Sequence, residues 1–241
     1  MIGPDGVGSS RAAPAAVKTI KTLLADDHTI VREGLRSLLR ADSGIEVVGE
    51  AHNGREAVKL TLALRPDIVV MDIAMPLLNG LEATRQMLAA APATKVIILS
   101  AHSDDAYIDR VVAVGASGFL IKQTSAQILG TAIHQVMAGN HFYSPQVSRR
   151  VRDHYQKPDK AGGLLVKKAT GLTARELEVI QLVAEGQPNK QVAAELNISI
   201  KTVEKHRQHL MDKLNIHDPA GLTRYAIAQG IIESSVQLTI V

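Results

Sequence analysis

Apolar residues follow two different periods along the chain between positions 18 and 139. Five short runs rich in Val, Ile and Leu are apolar on both faces, as buried parallel strands are; they span residues 20–25, 45–51, 67–71, 96–99 and 119–121. Between and after these runs, apolar residues recur every three or four positions, the period of helices, over residues 28–40, 53–64, 80–90, 104–114 and 125–137. Five strands alternating with five helices predict an α/β fold, a doubly wound five-stranded parallel sheet.

The pattern changes after position 139, where prolines, a Gly-Gly pair and many charges indicate a linker. Helical periodicity then returns over residues 174–185, 189–196, 201–214 and 219–229. Thr173 and Glu176 have the spacing of a capping box, Gly186 can end the first of these helices, and Ser199 can cap the third. We therefore predict a disordered tail (1–17), an α/β domain (18–142), a basic linker (143–168) and an all-α four-helix domain (169–241).

Composition excludes several classes of protein. With 46% hydrophobic and 21% charged residues, the chain has the balance of a globular protein that buries cores. No run reaches the roughly 18 apolar residues of a membrane-spanning helix, and the first 17 residues lack a basic start followed by an apolar block. The chain has no cysteine, which excludes disulfides, thiolate metal sites and cysteine nucleophiles. We expect a cytoplasmic protein with no membrane partner.

The net charge of +3 is concentrated in one segment. Residues 143–168 carry seven Lys or Arg against two Asp or Glu, whereas residues 18–142 and 169–241 each sum to −1. A basic segment beside a folded domain is typical of contact with a polyanion, and equally of a solvated linker. Both interpretations stay open at this point.

Chemistry-bearing side chains lie where the predicted strands end: Asp26 and Asp27 after the first, Asp72 after the third, Ser100 after the fourth and Lys122 after the fifth. Each has an ordinary explanation as a cap, a turn residue or a solvated charge. Together they would meet at one edge of the sheet. Clustered carboxylates suit Mg²⁺, which usually also meets phosphate, and an aspartate there can accept a phosphoryl group while a lysine neutralises its oxygens.

The motifs LLADDH, VVMDIAMPLLNG, VIILSAH and GASGFLIK, in this order, resemble the flavodoxin-like receiver domain of bacterial two-component response regulators over about residues 20–138. The resemblance implies that Asp72 accepts phosphate from a sensor histidine kinase. It also implies a Mg²⁺ site made by Asp26, Asp27, Asp72 and the backbone carbonyl of Ala74. Lys122 and Ser100 would contact the phosphoryl oxygens, and Phe119 would be the aromatic switch residue.

Two alternatives to a phosphorylated switch remain. An aspartate-nucleophile phosphohydrolase would resemble this site but carries a second Asp two residues after the nucleophile, where this chain has Ala74. Ala74 also predicts slow loss of the phosphoryl group. A constitutive DNA-binding protein with a degenerate receiver domain is the other alternative, and the intact set of site residues counts against it. His102 lies where dephosphorylation rate is tuned in the family.

The stretch from position 189 to 214 has the layout of a helix-turn-helix, with a short helix, a turn at Asn197–Ser199 and a longer helix. Lys201, Lys205, Gln208 and Asp212 share one face of the longer helix. That face can read bases, although an ordinary amphipathic helix would show the same period.

The strings LTARELEVIQLVAEG and NKQVAAELNISIKTVEKHRQHLMDKL resemble the LuxR-type DNA-binding domain over residues 172–231. The resemblance implies a third, recognition helix in the major groove and a fourth helix, around residues 222–228, that pairs subunits. Glu204, Lys205 and Gln208 match the family's base contacts, and Lys201, Thr202 and Arg207 lie nearer the phosphates. Glu204 is acidic and can instead pair with Lys201. Basic residues of the linker can add phosphate contacts; these are Arg149, Arg150, Arg152, Lys167 and Lys168.

The two resemblances together identify a NarL/FixJ-type response regulator, a non-enzymatic phosphoprotein. We expect phosphorylation of Asp72 to switch dimerisation and DNA binding of the second domain, and so to regulate transcription. The expected cofactor is Mg²⁺. The expected partners are a sensor histidine kinase, double-stranded promoter DNA and a second copy of the chain, and RNA polymerase is a further candidate.

Overall fold

The computed structural model describes residues 19–101, 105–144, 147–148 and 171–232. Its first part is a parallel sheet with helices on both faces. The strands are β1 (Ile20–Ala25), β2 (Ile45–Ala51), β3 (Ile68–Asp72), β4 (Lys95–Ser100), β5 (Gly118–Ile121) and β6 (Phe142–Tyr143). The helices are α1 (Thr29–Arg40), α2 (Gly54–Leu64), α3 (Gly80–Ala90), α4 (Asp105–Ala113) and α5 (Lys122–Met137). The strand order β2-β1-β3-β4-β5-β6 and the alternation of strands with helices confirm the predicted α/β fold.

Two apolar layers pack against the two faces of the sheet. In β3, Val69 and Met71 belong to one layer, whereas Ile68 and Val70 belong to the other. All four are at most 1% exposed. Burial on both faces explains why the strand sequences are continuously apolar instead of alternating.

The sheet has six strands and not the five predicted. Phe142 and Tyr143 form β6, which pairs in parallel with Gly118 and Phe119 of β5. Two residues are too few to show a hydrophobic period, so the pattern at the start of the predicted linker did not reveal this strand. Helix α5 also begins at Lys122, three residues before the predicted start, because Ile121 directly before it is extended and serves as the N-cap residue.

The second part is all-helical and contains α6 (Ala174–Ala184), α7 (Asn189–Leu196), α8 (Ile200–Leu214) and α9 (Pro219–Ala228). The predicted capping box is formed between Thr173 and Glu176. Ser199 caps α8 by accepting a hydrogen bond from the Thr202 N–H at 3.1 Å. Gly186 follows α6 with a φ of +82°, which favours glycine. These local signals fix both ends of α6 and the beginning of α8.

One apolar cluster holds the four helices together, and it includes Val183 of α6, Val192 of α7, Val203 of α8 and Leu222 of α9. Among the residues that the structure describes, no helix has the length and apolar character to cross a bilayer. The predicted tail (1–17) and nearly all of the predicted linker, together with His102, lie outside the described residues.

Candidate functional site

The side chains at the carboxyl edge of the sheet come together as predicted. Asp72 and Ser100 are the last residues of β3 and β4, Asp26 follows β1, and Lys122 opens α5 directly after β5. Parallel strands bring all these positions to one edge. The Lys122 Nζ lies 2.9 Å from Oδ2 of Asp26 and 2.9 Å from Oδ2 of Asp72, so one ammonium group joins two buried carboxylates. Asp26 is 1% and Asp72 is 2% exposed.

The charges in this cluster shift one another's protonation. Burial raises the pKa of Asp72 to about 7, and the negative charges of Asp26 and Asp27 act in the same direction, whereas Lys122 opposes the rise. Burial alone would lower the pKa of Lys122, but Asp72 and Asp26 outweigh it and the pKa is raised. Lys122 is therefore a permanent cation.

The cluster can hold a metal ion. Ligand atoms of Asp26, Asp27, His28 and Asp72 all lie within 4.8 Å of one another. The Oδ2 of Asp26 and the Oδ1 of Asp27 are buried and accept no well-oriented hydrogen bond from the described residues, although Lys122 Nζ lies 2.9 Å from the first and His28 Nδ1 lies 2.8 Å from the second. Poorly satisfied carboxylate oxygens of this kind fit a hard divalent cation.

His28 was not among the predicted site residues. Its side chain is 61% exposed, and its backbone N–H donates to Oδ1 of Asp26 at 2.9 Å. This bond explains how Asp26 is oriented at the start of α1. The signal that could have identified His28 is its position directly after the paired aspartates.

Ala74 lies in the loop between β3 and α3, two residues after Asp72. The loop is compact, because the carbonyl of Ile73 accepts the N–H of Met75 at 3.1 Å and that of Gly80 at 2.7 Å. A Cβ at Gly80 would lie 1.8 Å from the carbonyl oxygen of Asp72, so only glycine fits there. The methyl group of Ala74 offers no acid or base next to Asp72.

Ser100 and Phe119 belong to neighbouring strands. Ser100 is 2% exposed and pairs in the β4–β5 ladder with Ile121. Phe119 is fully buried in the apolar layer that also contains Met71 and Ile98. In this structure the predicted switch residue is thus packed inward.

Comparison with known proteins bears on both domains. The family model described as response regulator receiver domain matches residues 22–134. The model described as bacterial regulatory proteins, luxR family, matches residues 170–226. The transcriptional regulatory protein DegU of Brevibacillus brevis is 35% identical over 225 residues, which cover 89% of this chain and 95% of DegU. The chain belongs to the NarL/FixJ-type response regulators.

Solved structures give the same result for this response regulator. RcsB from Salmonella enterica serovar Typhimurium, bound to a promoter in the presence of the phosphomimetic BeF₃⁻, is 25% identical, with a TM-score of 0.56 over 86% of this chain and 98% of RcsB. A structure of two RcsB dimers bound to two parallel DNAs is 26% identical, with a TM-score of 0.52 over 86% of this chain and 98% of that one. The family consists of non-enzymatic transcriptional regulators that act with kinases and bind DNA, which sets the phosphohydrolase alternative aside.

The predicted DNA-reading residues of the response regulator lie on α8. Four of them are exposed, namely Lys201, Glu204, Lys205 and Gln208. Two are half-buried, namely Thr202 and Arg207. All but Arg207 line one shallow open groove, together with Ser199 and His209. His209 lines the same groove and was not among the predicted residues.

Three of these side chains are positioned by neighbours. Gln208 Nε2 donates to Oδ1 of Asp212 at 2.8 Å. The guanidinium of Arg207 donates to Oδ1 of Asn189 in α7 at 2.9 Å. Thr202 Oγ1 lies 2.8 Å from the hydroxyl of Ser199. Arg207 is therefore tied to the preceding helix of the helix-turn-helix.

Glu204 does not form the considered pair with Lys201. Within the part of the chain that the structure describes, no ion pair joins these two residues, and both are exposed. Glu204 is left available to a donor on a partner. The five basic linker residues considered as phosphate contacts lie outside the described residues; they are Arg149, Arg150, Arg152, Lys167 and Lys168.

Proposed function

We propose that this response regulator is phosphorylated on Asp72 by a sensor histidine kinase, and that phosphorylation switches its dimerisation and its binding to promoter DNA. The observation that carries the proposal is the position of Lys122 Nζ, 2.9 Å from both Asp26 and Asp72. A buried carboxylate beside a permanent cation and two further carboxylates can accept a phosphoryl group whose charge is then neutralised.

In the proposed transfer, an Oδ atom of Asp72 attacks the phosphorus of a phosphohistidine. The new O–P bond forms as the P–N bond breaks, and the electron pair stays on the leaving imidazole. Mg²⁺ would be held by Asp26, Asp27, Asp72 and the Ala74 carbonyl, and when bound it neutralises charge on the transferred oxygens. Lys122 exchanges its ion pair with Asp72 for one with a phosphoryl oxygen, and the Ser100 hydroxyl donates to another.

The same site favours persistence of the acyl phosphate. Its hydrolysis needs a water activated near the phosphorus, and general acid–base catalysis typically supplies 10²–10⁴-fold. Ala74 has no group that could activate such a water. A long-lived adduct suits a switch better than a catalytic cycle.

For the DNA-binding domain, we infer that α8 enters the major groove. Lys205 can donate to guanine, Glu204 can accept from the amino group of cytosine, and Gln208 can bond adenine. Lys201, Thr202 and Arg207 then contact phosphates.

Pairing of two chains would use α9, whose Arg224, Ile227 and Ala228 are exposed. The solved RcsB dimers on DNA support the pairing of two chains. A protein that binds promoters works where the chromosome is, so we infer a cytoplasmic location. RNA polymerase is a candidate partner there.

The test is the intact mass of the protein after incubation with Mg²⁺ and acetyl phosphate. We expect one added phosphoryl group on the parent and on Glu33→Gln, which changes an exposed carboxylate on α1, and none on Asp72→Asn. Continuous release of phosphate without a stable adduct would contradict the switch and favour a hydrolase. Absence of both adduct and turnover would favour constitutive DNA binding.

A further inference from the structure

Arg32 is a charged residue on the buried face of α1. It shares that face with Leu35 and Leu39, which belong to one of the two apolar layers of the receiver domain. Only 3% of Arg32 is exposed. An apolar side chain at this position would complete the face without the cost of burying a cation. The reason for a charge here must therefore lie in what the guanidinium contacts.

The guanidinium of Arg32 joins three segments of the receiver domain. Its Nη1 donates to the backbone carbonyl of Asp26, directly after β1, at 2.7 Å. Its Nε donates to Oε2 of Glu50 in β2 at 3.3 Å. Its Nη2 donates to Oγ1 of Thr29, the first residue of α1, at 3.4 Å. The rigid fork of donors allows one side chain to hold these three acceptors together, and the shortest bond is the one to Asp26.

The backbone of Asp26 is held on both sides of its α-carbon. Its N–H donates to the carbonyl of Ala51 in β2 at 3.2 Å, and its own carbonyl accepts the bond from Arg32. The carbonyl of Asp26 and the N–H of Asp27 belong to one planar peptide group. The bond from Arg32 therefore fixes the orientation of this plane, and with it the position from which the Asp27 side chain starts.

The two side chains that extend from this peptide carry the poorly satisfied oxygens of the site, Oδ2 of Asp26 and Oδ1 of Asp27. Neighbouring carboxylates repel each other, so without a restraint the backbone would relax to separate them. Mg²⁺ demands a nearly ideal octahedral arrangement of its ligands. Ligands that are already arranged bind the ion more tightly than ligands that must first be ordered.

Glu50 keeps the guanidinium of Arg32 in place. Its second oxygen, Oε1, lies 3.3 Å from Nη1 of Arg36, so this carboxylate pairs with two arginines of α1. The Arg36 side chain is 41% exposed, against 4% for Arg32. Within the part of the chain that the structure describes, Arg36 makes no bond to Asp26. Arg36 thus shares the helix, the residue type and the partner of Arg32, but not its contact with the metal site.

We propose that Arg32 is a positioning residue for the metal site, which fixes the peptide between Asp26 and Asp27 so that both carboxylates are arranged for Mg²⁺ before the ion binds. Arg32 itself contributes no ligand atom and acts through the backbone of Asp26. This inference deepens the proposed function, and it rests on the Mg²⁺ site of that function.

The first test is the Mg²⁺ affinity of the full-length chain, measured by titration calorimetry without a phosphodonor. Arg32→Met keeps a long side chain and removes all its donors. We expect this variant to bind Mg²⁺ about 10–100-fold more weakly, as when other groups that orient metal ligands are lost. Arg36→Met, the matched control, loses only an exposed ion pair and should stay within about twofold of the parent. An unchanged affinity in Arg32→Met, or an equal loss in both variants, would overturn the proposal.

The second test separates positioning from a merely structural role. The rate of adduct formation with acetyl phosphate is followed by intact mass over a range of Mg²⁺ concentrations. We expect Arg32→Met to need more Mg²⁺ for half-maximal rate, by the factor found in calorimetry, and to reach within about twofold of the parent's rate at saturating Mg²⁺. A rate that is lowered equally at every Mg²⁺ concentration would show a structural role and overturn the proposal.

The third test uses the parent, so it does not depend on whether a variant folds. NMR spectra of the guanidinium nitrogens report how fast each arginine head group rotates. In Mg²⁺-free protein, Arg32 should rotate slowly, because its bonds exist before the ion binds, whereas the exposed Arg36 should rotate fast. Rotation of Arg32 as fast as that of Arg36 would contradict an arrangement that precedes the metal.

Failure of this inference and failure of the proposed function give different results. If the parent binds Mg²⁺ but gains no phosphoryl group, phosphorylation of Asp72 has failed, while calorimetry still reports on Arg32. If the parent gains the phosphoryl group and Arg32→Met binds Mg²⁺ as tightly as the parent, only the role of Arg32 is wrong.

Discussion

Lys213 Nζ, in the last turn of α8, lies 2.7 Å from Oε2 of Glu176, the carboxylate that completes the capping box at the start of α6. The same oxygen accepts the Thr173 N–H at 2.8 Å. The end of α8 is therefore tied to the beginning of α6, the helix that contacts the receiver domain. Glu176 is 3% exposed, so its carboxylate has lost most of its contact with water. The hydrogen bonds and the ion pair with Lys213 compensate for that loss.

We predict that Glu176→Gln lowers the free energy of unfolding by about 1–2 kcal/mol, because it removes the charge that Lys213 and the cap share. Burial raises the pKa of Glu176, but the bonds from Lys213 and Thr173 prevail and lower it. A lowered pKa means that the stabilisation is present at neutral pH and is lost as pH falls through that pKa. Urea unfolding at pH 7 and at pH 3.5 checks this. Glu204→Gln, on the exposed face of α8, is the control and should change little at either pH.

For Asp72 we predict that folding stability depends on pH in the opposite direction. Its pKa is raised to about 7 by burial, so the folded chain binds this proton more tightly than the unfolded chain, and the stability contributed by the protonated form is lost as pH rises towards and through 7. We expect Asp72→Asn to raise the free energy of unfolding at pH 8 in EDTA by roughly 2–4 kcal/mol, and much less at pH 5. Thermal melts at the two pH values measure this. If Asp72→Asn stabilised the protein equally at pH 8 and at pH 5, the charge of Asp72 would not be the cause of the stabilisation.

Glu185 predicts a pH dependence of folding stability. Burial raises its pKa, against the bonds from Gln181 and Leu77 and the charge of Arg55, while Glu195 adds to the rise. A raised pKa means that the folded chain binds this proton more tightly than the unfolded chain, so the stability contributed by protonated Glu185 is lost as pH rises through that pKa. We predict that Glu185→Gln, which cannot ionise, gains more stability relative to the parent at pH 8 than at pH 5. Thermal melts of both proteins at the two pH values test this, with Glu33→Gln expected to follow the parent.

We predict that the side chain at position 74 determines how long the phosphorylated state persists. Ala74→Asp places a carboxylate two residues after the phosphoacceptor, where it can activate water, so we expect the adduct to decay at least about tenfold faster. Ala74→Val adds bulk without a base and should leave the lifetime within a factor of about two. The decay of the phosphorylated mass after removal of acetyl phosphate gives both rates. Equal decay in the two variants would argue against a missing base as the cause of persistence.

The DNA contacts predict two kinds of change. Lys205→Ala should cost about 1–3 kcal/mol and relax preference at one base pair, whereas Lys201→Ala should weaken binding to all sequences and reduce the salt dependence by about one ion. Duplexes selected from a random pool by the parent provide the probe. Lys95→Ala, an exposed lysine of the receiver domain, should change neither quantity. The roles would be wrong if Lys205→Ala lost affinity uniformly across sequences.

The sequence was sufficient to predict that the carboxylates and Lys122 meet, because the rule that brings them together is topological. Once the strands are known to be parallel, Asp72 and Lys122 must meet at one edge, whatever the details of packing. Local signals were equally sufficient for the helix ends, where Thr173 and Ser199 act within one turn. The two-residue strand β6 was missed because the hydrophobic pattern needs more positions than it has.

The contact between the domains could not be predicted from any local pattern. Gln181 lies in an amphipathic helix, and its polarity alone would place it in solvent, yet it is fully buried by a loop a hundred positions earlier in the chain. Leu77 likewise follows a proline in a turn. A leucine has no intrinsic preference for a positive φ, so its sequence gives no sign of this conformation. Both residues take their conformation from the partner domain, and periodicity within a segment carries no information about that partner.

The left-handed backbone of Leu77 has a consequence for how the two domains can be altered. Leu77 supplies no atom to the carboxylate cluster, and glycine would adopt its φ more easily, so a single substitution can loosen the two domains without touching the chemistry at Asp72. The contact between the domains and the chemistry of the carboxylate cluster can therefore be changed separately, the first at one position of the loop and the second at the edge of the sheet.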